Sequence, residues 1–178
     1  MITTVNDFVE EARRYRTIAE KALAQVSDDG LNRVIAPDGN SMAMLVRHVS
    51  GNLVSRFTDF LTTDGEKPWR NRDSEFQTRE YSRAEIRGLW NTGWQALEAS
   101  AASLTQQDLE KTVTIRGSSL TVQAALFRAL AHISYHTGQI VLLARILAHD
   151  EWKWISIPKG MSGKSNENPV REKSPLPR

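Results

Sequence analysis

The chain has 178 residues, a formal net charge of +2 and no cysteine. Its length predicts one domain that can bury a core without a disulfide or a structural metal, and the lack of cysteine excludes disulfides, thiolate metal sites and a cysteine nucleophile. Residues 158–178 carry five basic and two acidic side chains, so residues 1–157 have a net charge of about −1, which argues against a basic nucleic-acid-binding face.

The first half of the chain has the apolar spacing of two helices. Apolar residues three and four positions apart predict helices over residues 5–26 and about 41–61. Between them, residues 31–40 contain a proline and an Asp-Gly pair, which predict a connecting loop. Residues 62–81 show no period, and a loop of that length within one domain is usually functional or mobile.

The second half predicts two further helices separated by a hairpin. Ser82 and Glu85 have the spacing of a capping box at the start of the third helix, whose tryptophans are expected in the core. Alternating apolar residues over 113–120, interrupted by Arg-Gly-Ser, predict a small hairpin. The fourth helix, over 122–148, is apolar nearly all the way round and is expected at the centre of a bundle.

The last 21 residues differ in composition from the rest of the chain. Four of the six prolines lie in residues 158–178, together with serine and lysine. Such a segment buries too little apolar surface to fold, so an extended or partly disordered basic tail is expected. Residues 1–157 are the expected folded domain, with Trp152 and Trp154 packing the end of the chain onto it.

No segment has the pattern of a signal or a membrane span. The first residues lack the basic start and apolar run of a secretory signal, and no apolar run approaches the length that crosses a bilayer. The protein is therefore expected to be soluble and cytoplasmic, with neither a membrane nor nucleic acid as a partner.

Three of the four histidines have the arrangement of a metal site. His132 and His136 lie four residues apart, so a helix places both imidazoles on one face, where they can bind one ion. A third ligand is needed to complete an open zinc site. His48 lies in an apolar-periodic run and should face the core, whereas His149 follows the last apolar turn as a cation near a helix end. We select His48; the alternative is a purely structural, metal-free histidine pair.

Other side chains are candidates for contacts around these histidines. Partners that orient the imidazole rings are expected within a helical turn of the ligands: Asn52, Tyr135 and Gln139. In the loop 62–81, Trp69 and Arg72 suit a lid or wall that contacts a substrate; alternatively, Trp69 pins a long crossover to the bundle. No Glu-x-x-His, His-Glu-x-x-His, Gly-x-Gly-x-x-Gly or Gly-x-Ser-x-Gly motif occurs, which removes the di-iron, metalloprotease, Rossmann and serine-hydrolase classes.

A histidine in the second helix, followed by His-x-x-x-His-x-Gly-Gln in the last, resembles the DinB-like superfamily of bacterial metal-binding four-helix bundles. The stretches 41–44 and 63–73 are similar to a subgroup catalogued as a domain of unknown function, and the likeness covers residues 5–155. The resemblance implies an all-α, up-down-down-up four-helix bundle with one long crossover, a homodimer, and one divalent ion, zinc or nickel, bound by His48, His132 and His136. The superfamily includes bacillithiol S-transferases and a mycothiol-dependent maleylpyruvate isomerase.

An ion held by three neutral imidazoles keeps its charge and an open position, which favours hydrolysis or thiol transfer. We therefore expect a metal-dependent enzyme of small-molecule metabolism or detoxification. Thiol transfer would require an external low-molecular-weight thiol, because the chain has no cysteine. The alternative is a metal-containing binding or stress-response module without turnover. The sequence singles out no catalytic side chain.

Overall fold

The computed structural model describes residues 3–167, within which four long helices form a bundle. The helices in chain order are α1 (Thr3–Leu23), α2 (Asp28–Asn32), α3 (Met42–Phe57), α4 (Arg83–Ser103), α5 (Val122–Ala148) and α6 (Ser162–Glu167). Helix α1 packs mainly against α5, while α3 packs against α4 and α5. The predicted four-helix bundle is confirmed, with α2 and α6 as short additions.

The long helices begin where their side chains can satisfy the free backbone N–H groups of the first turn. The hydroxyls of Ser41 and Thr121 each accept a hydrogen bond from the backbone N–H three residues later. Ser82 and Glu85 form the predicted capping box at the start of α4. These caps stabilise the first turns of α3, α4 and α5.

The predicted hairpin is confirmed immediately before α5. Strands β1 (Thr112–Ile115) and β2 (Ser118–Thr121) pair antiparallel, with Val113 opposite Leu120. The two residues of the turn, Arg116 and Gly117, have φ values of 55° and 72°. A two-residue hairpin turn of this kind needs positive φ at both positions, and glycine adopts it without steric cost.

Apolar side chains of all four long helices fill the centre of the bundle. Trp90 and Trp94 of α4 are buried, as predicted, with ring centroids 5.5 Å apart. Burial of each large apolar side chain contributes about 1.5–3 kcal/mol. The largest fully buried ones are Trp94, Leu31, Met42, Leu45, Leu53, Leu97, Leu126, Ile133 and Ile140.

Helix α5 differs from its expected central position, because one of its faces is exposed. In a four-helix bundle each helix buries one face and presents another to solvent. The outward face of α5 carries large apolar side chains at helical spacing: Phe127, Tyr135, Leu142 and Ile146. We refer to these four residues as the α5 stripe.

The connections contain more structure than the sequence predicted. Ser27 accepts a hydrogen bond from the backbone N–H of Gly30 at 3.1 Å and so starts the short helix α2 before the predicted loop. Helix α3 ends at Phe57, four residues earlier than predicted, and turns follow it. The crossover between α3 and α4 contains a 3-10 turn, Asp73–Phe76.

The described part of the C-terminal segment contains α6, a six-residue helix with no buried residue, where an extended or partly disordered tail was expected. Residues 168–178 lie outside the described residues, so the boundary at residue 157 and the tail's properties stay predictions. Within residues 3–167, no helix is both long enough and apolar enough to cross a membrane. The cytoplasmic location stays a prediction.

Candidate metal centre

Three histidines meet between α3 and α5. His48 lies on α3, and His132 and His136 lie one turn apart on α5, so that potential ligand atoms of all three lie within 4.8 Å of one another. The ring centroids of His132 and His136 are 4.5 Å apart, and those of His48 lie 5.1 and 4.9 Å from them. His149 is exposed at the end of α5 and outside this cluster. The structure therefore brings together the three histidines selected from the sequence.

Two of the three rings are oriented by acceptors outside the cluster. Nδ1 of His48 donates to Oε2 of Glu75 at 2.8 Å, and Nδ1 of His136 donates to Oε1 of Gln139 at 2.7 Å. With the proton on Nδ1, Nε2 of each ring is left with a free lone pair. This is the arrangement by which proteins orient histidines that bind metals.

His132 completes the cluster without such a partner. Its Nε2 lies 3.1 Å from Nε2 of His48, while its Nδ1 is buried and has no hydrogen-bond partner in the described part of the chain. A buried nitrogen without a partner costs free energy that a structural histidine ordinarily avoids. Among the described residues, His132 is therefore hydrogen-bonded only to another ring of the cluster.

Glu75 is itself held in place by Arg70. Nε and one terminal nitrogen of Arg70 donate to the two carboxylate oxygens of Glu75 at 2.8 and 2.9 Å, a bidentate pair. Another terminal nitrogen of Arg70 donates to Oγ of Ser55 at 3.1 Å. Burial alone would raise the pKa of Glu75, but hydrogen bonds from His48 and Arg70, with the charge of Arg70, hold that pKa below its ordinary value. Glu75 is thus a carboxylate at neutral pH.

The 3-10 turn that carries Glu75 is fastened to α3 by the residue before His48. Arg47 donates to the backbone oxygen of Ser74 and to the hydroxyl of Tyr81, both at 2.6 Å. Phe76 packs on the His48 ring with centroids 4.7 Å apart. The crossover therefore closes one side of the cluster through backbone and side-chain contacts.

The environment of α5 lowers the pKa of two imidazoles of the cluster, His132 and His136. Burial, followed by the neighbouring His136, His48 and Arg70, lowers the pKa of His132 to about 3. Burial also lowers the pKa of His136, although its hydrogen bond with Gln139 opposes that effect. Neutral imidazoles are the form that binds a metal.

These donors fit a divalent ion such as zinc or nickel. Two nitrogens bound to a tetrahedral zinc at about 2.0–2.1 Å are about 3.3 Å apart, close to the 3.1 Å between Nε2 of His48 and Nε2 of His132. Three neutral nitrogen ligands, two of them oriented from outside, match sites that retain an open position. His48, His132 and His136 are the residues that would hold the ion.

A cavity of ≈ 210 Å³ opens beside His48 and His132. It contains two of the candidate residues from the sequence, Asn52 and Arg72. Within residues 3–167, however, no hydrogen bond joins the side chain of Asn52 to a histidine. Asn52 therefore faces the cavity instead of orienting a ring.

The other candidates have different positions. Gln139 accepts the hydrogen bond from Nδ1 of His136. Tyr135 is 64% exposed and contacts His136 only through its ring, with centroids 4.9 Å apart. Trp69 is 57% exposed and is not among the residues that line the cavity.

Glu75 and Arg70 are the residues of the site that the sequence analysis missed. They lie in a segment without periodicity, and Glu75 is 27 positions from its partner His48. Only Arg70 had a neighbouring signal, since it stands between Trp69 and Arg72 in the loop proposed as a wall.

Comparisons with known proteins agree with this architecture. The family model described as "Protein of unknown function (DUF1572)" matches residues 3–161. A solved structure, that of a DinB-like protein, YjoA, from Bacillus subtilis, is 19% identical, with a TM-score of 0.53, and the match covers 86% of this chain and 97% of that one. At this identity the likeness shows the fold alone, and it confirms the predicted DinB-like fold. No curated protein matches the chain.

Proposed function

The chain belongs to the DUF1572 family, and we propose that it is a divalent-metal-dependent enzyme of small-molecule metabolism or detoxification. The family description assigns no activity. The proposal therefore depends on the chemistry of the histidine cluster and of the cavity beside it.

The observation that best supports the proposal is that histidines of the cluster donate hydrogen bonds to residues outside it. Glu75 and Gln139 accept hydrogen bonds from Nδ1 of His48 and His136, so Nε2 of each ring carries the lone pair that can bind a metal. Nδ1 of His132 has no partner among the described residues. A cluster that served packing alone would be expected to satisfy its buried nitrogens within the protein.

Zinc or nickel bound by three imidazoles would supply Lewis acidity, lowering the pKa of water or of a thiol to near neutrality. Glu75 and Gln139 would orient the ligand rings, and the cavity would hold the substrate beside His48 and His132. Hydrolysis and thiol transfer are the reaction classes that this chemistry favours. Thiol transfer, the activity of the bacillithiol S-transferases in the superfamily that the chain resembles, would use an external thiol, because this chain has no cysteine.

Metal content tests the first part of the proposal. Elemental analysis of gently purified, zinc- or nickel-reconstituted protein should find about one ion per chain. His48→Ala should remove tight binding, whereas His149→Ala, a change to an exposed histidine outside the cluster, should not. Absence of metal from the wild type, or equal loss from both variants, would contradict the site.

Thiol consumption tests the second part. A low-molecular-weight thiol and a panel of electrophiles are incubated with metal-loaded protein, chelated protein and His48→Ala protein. We expect consumption that requires both the ion and His48. Equal rates in all three samples would show that the protein does not catalyse thiol transfer, and ester or amide hydrolysis would then be assayed with the same three samples.

One observation favours a second candidate, a metal-containing binding or stress-response module without turnover. Within the described part of the chain, no aspartate or glutamate lines the cavity, so no carboxylate there can act as a general base. A protein that binds one ion per chain and a small ligand, yet shows no metal-dependent turnover with any substrate class, would be this module.

We also propose that the assembled form is a homodimer that pairs through the α5 stripe. Exposed contiguous apolar surface is characteristic of protein interfaces, and the stripe lies on the face of α5 that the bundle leaves open. Gly138 lies among these residues with no heavy atom within 4 Å of the position a Cβ would occupy, so a second helix can approach there.

A further inference from the structure

The cavity beside the histidine cluster is lined by an unusual number of arginines. They come from α3, the crossover, the hairpin turn and α5: Arg56, Arg70, Arg72, Arg116 and Arg128. Among residues 3–167, no aspartate or glutamate lines the cavity. The identity of these side chains indicates what charge the cavity accepts.

Nearby carboxylates neutralise only part of this charge. Glu66 is shared by Arg56 and Arg116, at 3.3 and 2.9 Å, and Glu75 pairs with Arg70. Two carboxylates therefore serve three of the five guanidinium groups.

The remaining two arginines lack a close carboxylate partner within residues 3–167, and the guanidinium group of Arg72 lies 5.0 Å from the centroid of the Phe76 ring. Arg72 lies 3.9 Å from Asp73, a carboxylate whose side chain is 97% exposed and hence well screened. Arg128 makes no ion pair within residues 3–167. Both stay available to an anion that enters the cavity.

Helix geometry places Arg128 close to the cluster. Arg128 and His132 are four residues apart on α5, so they share a face, with a rise of about 6 Å between them. On α3, His48, Asn52 and Arg56 follow the same four-residue spacing. Each helix thus presents a cluster histidine and an arginine to one cavity.

Apart from the arginines, the two histidines and Asn52, the lining is apolar. Its apolar residues are Phe57, Phe60, Ile115, Ala125 and Ala129. A cavity that combines apolar side chains with guanidinium groups suits a ligand with an apolar part and an anionic group, which arginine binds through paired N–H donors.

We infer that the cavity binds a small organic anion whose carboxylate or phosphate group is held by Arg72 and Arg128, with its apolar part against Phe57 and Phe60. The inference rests on the proposed function in one respect, since this bound anion is the substrate of the reaction at the histidine cluster. Anion binding itself depends on the arginines and not on the ion.

The test is calorimetric binding at low ionic strength with three probes of similar size: phenylphosphonate, benzoate and neutral benzyl alcohol. Zinc-loaded and chelated protein are both titrated. We expect an anionic probe to bind at least about 10-fold more tightly than benzyl alcohol, because a hydrogen bond to a charged group is lost with the neutral probe. The tighter of the two anions identifies the preferred group.

The decisive variant is Arg128→Gln, with Arg87→Gln as its control. Arg87 is an exposed helical arginine of α4, outside the cavity lining. Arg128→Gln should weaken anion binding about 10-fold in both zinc-loaded and chelated protein, and Arg72→Gln should act in the same direction. Arg87→Gln should leave binding unchanged, and thermal unfolding verifies that each variant is folded.

Anion binding that occurs only with zinc and is unaffected by Arg128→Gln would place the anion on the ion alone and overturn the inference. Equal binding of benzyl alcohol and the anions would also overturn it. His48→Ala separates the two proposals: retained, Arg128-dependent anion binding in this variant supports the inference even if the protein shows no metal-dependent turnover. Turnover that is indifferent to Arg72→Gln and Arg128→Gln would keep the proposed function and reject the anion site.

Discussion

Glu75 determines which nitrogen His48 presents to the cluster. A carboxylate can only accept, so its 2.8 Å contact fixes the proton of His48 on Nδ1. Arg70 fixes the carboxylate in turn through two hydrogen bonds. The orientation of one ligand ring therefore depends on a buried ion pair whose members lie on a different segment of the chain.

Glu75→Gln should weaken metal binding by about 10- to 100-fold, the range found when the partner of a metal-binding histidine is changed. The amide has nearly the same shape, but it loses the negative charge and turns an N–H group toward donors. Competition with a chromophoric chelator measures the affinity. Glu98→Gln is the matched control, since Glu98 pairs with Arg13 away from the histidines; equal losses in both variants would show that Glu75 has no special role.

At the scale of the elements, a glycine in α3 leaves room for the Glu75 carboxylate to pack against the helix. Gly51 lies within this helix, and a Cβ there would collide with Oε1 of Glu75. A glycine in a helix interior costs about 0.5–1 kcal/mol relative to alanine. That cost is explained here by the close approach of the Glu75 side chain.

Gly51→Ala should therefore show that metal affinity depends on the room left for Glu75 and not on the stability of the helix. The added methyl group displaces the Glu75 carboxylate, so metal affinity should fall in the same direction as in Glu75→Gln. Gly88→Ala on α4 is the control, because no heavy atom lies within 4 Å of its Cβ position. It should raise the free energy of unfolding by about 0.5–1 kcal/mol and leave metal affinity unchanged. Unchanged affinity in Gly51→Ala would contradict the explanation.

Asp64 joins the crossover to the hairpin that carries Arg116 into the cavity. Its two carboxylate oxygens accept hydrogen bonds from the backbone N–H groups of Arg116 and Gly117, both at 2.8 Å, and from that of Glu66 at 2.6 Å. The N–H of Gly117, then that of Glu66, hold the pKa of Asp64 well below its ordinary value. Asp64 thereby stabilises the positive-φ turn.

Asp64→Asn should lower the free energy of unfolding by about 1–2 kcal/mol at pH 7, since an amide N–H then faces backbone donors. For a chain of this size that corresponds to a decrease in Tm of about 2–8 °C. Because the folded pKa lies below the unfolded value of about 3.9, the contribution of Asp64 is complete above about pH 4 and is lost as the pH falls through the folded pKa.

Thermal unfolding at pH 7 and pH 3 tests whether the stabilisation by Asp64 is lost on acidification. The difference in Tm between the wild type and Asp64→Asn should shrink at the lower pH, while Asp73→Asn, at a side chain 97% exposed, should change little at either. A difference that grows on acidification would contradict the assignment.

Helix starts and the histidine pair could be predicted from the sequence, whereas the position of Glu75 could not. Helix starts depend on side chains within three residues, such as Ser82 and Glu85, and the pairing of His132 with His136 depends on one helical turn. These features were predicted because their cause is local. The position of Glu75 depends on how the crossover folds over α3, a contact between distant segments that leaves no periodic pattern in residues 62–81.

At the scale of the whole molecule, the bundle covers its histidine cluster but leaves the α5 stripe open to solvent. Phe127, Tyr135 and Leu142 are each more than half exposed. Their spacing follows the helical repeat, so they form one band along α5 and not scattered surface residues. A band of this kind is expected to be covered in the assembled protein.

Leu142→Arg should convert a homodimer to a monomer, because a charge at the centre of an apolar interface is buried without a partner. Light scattering after size exclusion measures the mass: about twice 20.1 kDa for the wild type and about 20.1 kDa for the variant. Ile35→Arg is the matched control, since Ile35 is also an exposed apolar residue but lies outside the stripe. Thermal unfolding of each variant verifies that the bundle is intact. A monomeric wild type would contradict the proposed homodimer. A Leu142→Arg protein that remains dimeric would place the interface on another face.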